Sequence, residues 1–306
     1  MAFRDYGYLS IMQKQMRPFS EHPLIAWMHR IRFGDKRSVS LYQVLELYSL
    51  GVVKGALTTR ASSIAFSFFM ALFPFLLFVL NLIPFIPLPN IEAAFSELLI
   101  STVPSDIQTL ITEILSDIQN KQRRGLLSTT FLLSIFLMGN GVNAVFGGFE
   151  DSIHVSFSRH FLRQYFYAVG VGILLAILLL VSVAGYLFFE IMVQESMLLE
   201  IRVSPWFRSL FFVFMSYWIS ATLFYFGSSK GSGRSFFSAG ALMTTLLFML
   251  TSYGFSIYLN YFASYNQLYG SIGAILILML YIWLNANVLL LGFELNAAIR
   301  KLKQNS

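Results

Sequence analysis

Residues 61–83 read ASSIAFSFFMALFPFLLFVLNLI, 23 consecutive positions without a charged side chain. A helix needs about 20 mostly apolar residues to cross the hydrocarbon core of a bilayer, so this stretch predicts a membrane-spanning helix. Applied along the rest of the chain, the same test selects residues 126–149, 165–189, 206–227, 236–262 and 271–293. Arg208, near one end of its stretch, is the one basic residue these segments contain. The fold expected is therefore all-α and integral to the membrane: a six-transmembrane-helix bundle. Composition agrees, since 57% of the 306 residues are hydrophobic and 12% are charged, about half the charge of an ordinary soluble domain. Mean hydropathy is +0.68. Cysteine is absent, which excludes disulfides and thiolate chemistry. The first long apolar run begins only at Ala61, too late for a secretory signal peptide.

Charge orients the bundle. With the N-terminus inside, the segments 1–60, 150–164, 228–235 and 294–306 lie in the cytoplasm and hold sixteen of the 21 Lys and Arg residues. Acidic residues divide almost evenly, seven inside and eight outside. Lys and Arg, rather than net charge, resist translocation and bind anionic cytoplasmic lipid, so both termini are expected in the cytoplasm. The net charge of +6 is then mostly a topology signal. The external cluster Lys121, Arg123 and Arg124 reads as headgroup snorkelling at the start of the second span.

Three segments carry helical periodicity without the length to span. Residues 40–57 open with Ser40 and Gln43, the spacing of a capping box, and Leu41, Val44, Leu45, Tyr48 and Val52 recur on one face. An amphipathic helix is expected there, lying at the interface or packed on the bundle. Beyond Pro84, Pro87 and Pro89, Ile91, Phe95, Leu98 and Leu99 share a face. After Pro104, Ser105 and Gln108 again fit a capping box, and an apolar stripe from Ile107 to Ile118 follows. These predict an external helical hairpin between the first and second spans. The domain plan is thus a cytoplasmic N-terminal segment over 1–60, a transmembrane domain over 61–299 with its external insert at 90–122, and a cytoplasmic tail over 300–306.

Polar groups at membrane depth are costly and carry a functional hypothesis. Asn140, Asn143, Gly147 and Glu150 fall at helical offsets on one face of span two; they read as interhelix glue or as a substrate path. In span six Trp283, Asn287, Leu290, Glu294 and Ala297 share a face. Counted from Ile272, Glu294 lies roughly 33 Å along the axis, near the cytoplasmic boundary, where it can face water, pair with Arg60 and lock spans one and six together, or take part in substrate or proton movement. Pro74 interrupts span one, freeing a carbonyl and allowing a kink. Ala168, Gly172 and Ala176 form a close-approach ladder in span three.

His22, His29, His154 and His160 show no metal-ligand spacing, and no nucleophile–base constellation appears, so no enzyme, metal or cofactor is expected. The basic residues carry no nucleic-acid-binding signature. Membrane lipid is the partner these features imply; the oligomeric state is left open.

Two stretches carry a family likeness. Residues 60–84, RASSIAFSFFMALFPFLLFVLNLIP, resemble the first-span signature of the YihY/BrkB family of bacterial inner-membrane proteins, and residues 269–299, YGSIGAILILMLYIWLNANVLLLGFELNAAI, resemble its last span, with the YGS-G entry and LG-ELN exit. The likeness covers about residues 40–299. It implies a multi-pass protein of the bacterial inner membrane and, as for some members of the family, a role in transport of lipid or lipopolysaccharide and in envelope integrity; the alternative is a non-transporting structural or regulatory membrane protein that recruits partners. The family's older ribonuclease label, ribonuclease BN, has no support in these residues. Span two departs from the pattern: FLMGNGVNAVFGGFED, residues 136–151, is unusually rich in glycine and asparagine.

Overall fold

The computed structural model describes residues 32–33, 39–54, 56–82, 127–152, 161–195, 205–228, 235–262 and 271–305, with scattered positions between 93 and 116. Two short strands, β1 (Arg32–Phe33) and β2 (Val39–Ser40), pair antiparallel. Among the described residues, seven continuous helices follow: α1 (Leu41–Lys54), α2 (Leu57–Leu82), α3 (Leu127–Glu150), α4 (Phe161–Glu195), α5 (Pro205–Gly227), α6 (Ala239–Phe262) and α7 (Ser271–Asn305). The last six are each long and apolar enough to cross a bilayer. The protein is an all-α integral membrane bundle, and its helix limits lie within a few residues of the sequence-based ones for most spans.

Local chemistry sets the ends of α1. The Ser40 backbone N–H donates to Gln43 Oε1 at 3.1 Å, and the Gln43 N–H donates to Ser40 Oγ at 3.3 Å. These reciprocal bonds satisfy two of the amides a helix start leaves unpaired. Val44 is buried, whereas Leu45 and Val53 are exposed. The apolar face is therefore narrower than the periodicity of Leu41, Val44, Leu45, Tyr48 and Val52 predicts, because α1 packs mainly on α7. Ala56 has φ of 44°, the left-handed conformation that ends α1 and redirects the chain. Its carbonyl accepts the Arg60 N–H at 3.1 Å, so α2 is under way by Leu57 and Arg60 sits in its first turn rather than before it.

Helix α7 runs unbroken through Asn305, into the segment 300–306 expected as the cytoplasmic tail, because 300–305, RKLKQN, contains no glycine or proline to stop it. The pairing of β1 with β2 is a feature that helical periodicity does not register. Pro74 lies inside a continuous α2.

The helices pack as α2 against α3 and α7, α3 against α4, and α6 against α5 and α7. One buried cluster, with Ala61, Ile64, Phe149, Ala168, Leu290 and Phe293, fills the half of the bundle nearest Arg60. The other, with Phe78, Val79, Leu180, Val183, Leu259 and Ile277, fills the far half. Ile111 of the insert is buried in that far cluster, and Ile100 packs against it, while Glu97, Thr112 and Glu113 are exposed. The described positions of 90–122 are helical with their apolar face on the bundle; their arrangement as a hairpin lies outside the described residues, as do the cluster Lys121, Arg123 and Arg124 and residues 1–31. The predicted ladder of span three is an interface: Ala168 and Ala176 are fully buried, and a Cβ on Gly172 would stand 3.1 Å from Met138 Cε of α3.

Candidate functional site

At the end of the bundle where α2 begins, three spans meet on one ion pair. Arg60 Nη1 donates to Glu294 Oε1 at 2.6 Å, with the two side chains 5% and 0% exposed. Arg60 Nε donates to the Gly148 carbonyl at 2.8 Å, and Ser152 Oγ donates to Glu294 Oε2 at 2.8 Å. One guanidinium and one carboxylate thus tie α2, α3 and α7 together. Glu294 does not face water. The interaction that stabilises a buried pair must offset desolvation of both charges, and additional hydrogen bonds of this kind are what make it tenable. Phe149 and Phe293 stack beside it at 4.0 Å between centroids, so the pair adjoins a closed aromatic layer. Outside the spans, burial raises the pKa of the Tyr48 phenol in α1, and the negative charge of Glu294 raises it further. The amphipathic helix is therefore packed close to this junction.

A lateral cleft of about 640 Å³ opens beside the junction between α2, α3 and the start of α4. Asn140, Asn143, Gly147 and Glu150 all line it, together with Arg60. Helical offset places these four on one face of α3, and the structure gives that face a common surface. From Asn140 to Glu150 the strip covers about 15 Å of helix axis, about half the ~30 Å hydrocarbon core. Across from it, Ser63 and Ser67 of α2, one turn apart, add hydroxyls, and Gln164 comes from α4. Phe66 and Met70, each 57% exposed, flank the polar strip with apolar surface. The cleft reaches Met70 and Ala71, just before Pro74, which withholds the helix N–H that the Met70 carbonyl would otherwise accept. There α2 and α3 close: a Cβ on Gly141 would lie 2.8 Å from that of Ala71. Gly147 is different, since a Cβ added to it meets nothing within 4 Å.

Asn287 is not brought to the cleft. Its Nδ2 donates to the Trp283 carbonyl of its own helix at 2.8 Å, which satisfies the amide locally. Sequence reasoning missed Asn296. Its Oδ1 accepts the Gly240 N–H at 2.8 Å and its Nδ2 donates to Ser238 Oγ at 2.9 Å, so α7 caps the start of α6. The ELN exit contains both Glu294 and Asn296, but spacing alone does not say which helix each one meets. Gly240 and Gly292 were missed as well: they let the backbones of α6 and α7 approach. Among the described residues, no group of three or more His, Cys, Asp or Glu side chains stands ready to hold a metal ion.

Sequence comparison places this architecture among known chains. A family model described as virulence factor BrkB matches residues 51–306, a range that takes in the whole transmembrane bundle, Arg60 and Glu294 included. A ribonuclease-like protein of Bacillus subtilis, YfkH, is 26% identical over 265 residues, covering 80% of this chain and 91% of the relative. A UPF0761 membrane protein of Coxiella burnetii is 24% identical over 241 residues, 76% of this chain and 84% of the relative. Identity is higher, 47%, over a 60-residue stretch shared with a UPF0761 membrane protein of Pseudoalteromonas translucida, 20% of each chain. No solved structure matches. The six apolar spans and the family match over more than four-fifths of the sequence lead to one conclusion: the chain belongs to the BrkB family of membrane proteins.

Proposed function

We propose that this chain moves lipid or lipopolysaccharide-type substrates within the bacterial inner membrane, as a transporter or flippase-like protein that supports envelope integrity. The observation that carries the reading is the cleft. Its polar strip runs along α3 from Glu150 to Asn140 and is bordered by exposed apolar side chains. A lipid has the same division, a polar head and apolar chains, so the head can follow the strip while the chains stay against Phe66 and Met70 in the hydrocarbon. Intramembrane polar groups on an exposed face are costly in lipid and are retained where they line a pathway. The chain has no nucleotide-binding loop, so movement runs down a gradient, on proton coupling or with a partner. Purified protein in liposomes is expected to accelerate movement of an acyl-chain-labelled phospholipid between leaflets. The same rate in protein-free liposomes would reject the reading.

The Arg60–Glu294 junction has a different part in this scheme. With Glu294 fully buried and bonded to two side chains, it holds α2, α3 and α7 in register and fixes one end of the cleft. That end faces the cytoplasm in the proposed orientation, for which the distribution of Lys and Arg is the support. Because the chain has no cysteine, Ser306→Cys gives a clean readout. It should react with a membrane-impermeant maleimide only after the inner membrane is opened; reaction at the intact periplasmic face would reverse the orientation.

A further inference from the structure

A second space lies inside the bundle, away from the cleft. A cavity of about 290 Å³ sits among α2, α5, α6 and α7, with Phe68, Phe212, Phe248, Ile282 and Leu289 in its walls. A neighbour of about 190 Å³ lies among α2, α3, α4 and α5, and Phe68, Val145, Ile219 and Leu223 belong to both walls. Because α5 packs mainly on α6 and α4, its side toward α2 and α7 borders this chamber. From Phe212 to Leu223 the wall follows α5 for roughly 16 Å, close to half of the ~30 Å hydrocarbon core and so the reach of one lipid chain. Among the described residues, neither wall includes a charged side chain. The polar groups of the larger cavity are few. Ser252 and Tyr281 bond each other at 2.8 Å, and Asn285 Nδ2 donates to the Tyr281 carbonyl at 2.8 Å. Ser216 adds a hydroxyl. Ser220, one turn beyond it, is fully buried in the wall, and its Oγ has no hydrogen-bond partner.

Unfilled space in a protein interior is destabilising in proportion to its volume, and an apolar cavity of about 150 Å³ already takes up a molecule the size of benzene. A buried hydroxyl without a partner is costly as well, and a ligand group that bonds it removes that cost. We infer that the chamber is a binding site for an uncharged single-chain amphiphile, a hydrocarbon chain ended by one hydroxyl or carbonyl group. That group bonds Ser220 Oγ, and the chain lies along α5 past Ser216 toward Phe212, between Phe68 and Phe248. A charged headgroup is disfavoured, since nothing in the walls balances it at this depth. A phospholipid fits less well for the same reason: its charged head belongs at the interface, and Ser220 lies roughly 10 Å along the axis from Gly227, where α5 ends. The site stands whether or not the cleft carries lipid.

The test is photolabelling of the full chain in liposomes with a dodecanol analogue that carries a diazirine in its chain, followed by mass spectrometry of the labelled peptides. Saturable labelling is expected on α5 between Phe212 and Leu223 and on α7 between Tyr281 and Leu289. At matched concentrations in the membrane, 1-dodecanol should compete roughly tenfold more effectively than dodecane, which lacks the hydroxyl, or dodecane-1-sulfonate, which is always charged. Equal competition by dodecane overturns the bond to Ser220, and equal competition by the sulfonate overturns the selection for an uncharged group. Labelling that does not saturate, or that is as strong at the exposed Phe166 and Val181 of α4, overturns the site itself. These outcomes are read on the unmodified protein and need no variant to fold. Ser220→Ala should weaken competition by 1-dodecanol about fivefold, the usual effect of one hydrogen bond. Unchanged competition in that variant would mean that the hydroxyl turns onto its own helix, and would overturn its assigned role.

Discussion

Glu294→Leu is expected to destabilise the protein by about 3–5 kcal/mol, the usual consequence of leaving one member of a buried ion pair without its partner. Arg60 would remain under the bundle with a guanidinium bonded at Nε to the Gly148 carbonyl, and Ser152 would lose its acceptor. Arg60→Met alone should cost a similar amount, because Glu294 has no exposure through which water could solvate it. Arg60→Met combined with Glu294→Leu is expected to recover much of the loss, since a pair removed as a unit leaves no orphaned charge and apolar replacements of similar volume are commonly neutral or better. Glu294→Gln should fall between, retaining hydrogen bonds without the charge. Thermal unfolding in detergent, with size-exclusion chromatography to count folded protein, reads all four. If the single variants were as stable as the parent chain, the junction would not be what holds the three spans in register.

Gly292→Val is expected to abolish the folded bundle. A Cβ at Gly292 would overlap Thr244 Oγ1 and lie 2.7 Å from the Gly240 carbonyl, and a Cβ at Gly240 would overlap the Gly292 carbonyl and lie 2.5 Å from Asn296 Cγ. Backbone cannot step aside as a flexible side chain does. Accommodating the substitution means separating α6 from α7, which also breaks the Asn296 bonds that cap α6. Overpacking of an ordinary core costs about 1–3 kcal/mol, and a backbone-to-backbone crossing with a lost cap should exceed that. In a membrane, small residues at such crossings carry association, because lipid offers no hydrophobic gain for packing helices together. Gly170→Ala and Gly254→Ala serve as controls: an added Cβ there meets nothing within 4 Å, and the helix gains about 0.5–1 kcal/mol from losing a glycine. Yield of folded protein after membrane extraction separates the two kinds of position. Normal yield for Gly292→Val would show that the crossing is looser than drawn.

Features that depend on the chain's local period were readable from the sequence. Apolar length located the spans, the Ser40 and Gln43 spacing located the start of α1, and helical offset put Asn140, Asn143, Gly147 and Glu150 on one face. Depth alone made a pairing of Arg60 with Glu294 one of three readings, each residue lying near the same end of its span. Features that depend on which helix stands beside which were hidden. Spans such as α4 are apolar all round, because lipid and protein interior are equally apolar solvents, and so periodicity cannot tell the packed face from the lipid face. Ala168 is buried while Phe166, two residues away, is 74% exposed, a difference no hydropathy value carries. Asn287 and Asn296 illustrate the same limit. Both are amides in one helix, yet one bonds its own backbone and the other caps a neighbour, and only the docking of α6 against α7 distinguishes them.

The claim that the cleft is a lipid path is tested most directly at Gly147. This residue lines the cleft, and a side chain added there meets open space, so Gly147→Leu fills the path while leaving the packing of α2, α3 and α7 intact. In liposomes containing acyl-chain-labelled phosphatidylethanolamine, the account predicts that the unmodified protein accelerates leaflet transfer and that Gly147→Leu, with unchanged thermal stability, slows it at least tenfold toward the protein-free rate. Transfer by Gly147→Leu at the rate of the unmodified protein would contradict it.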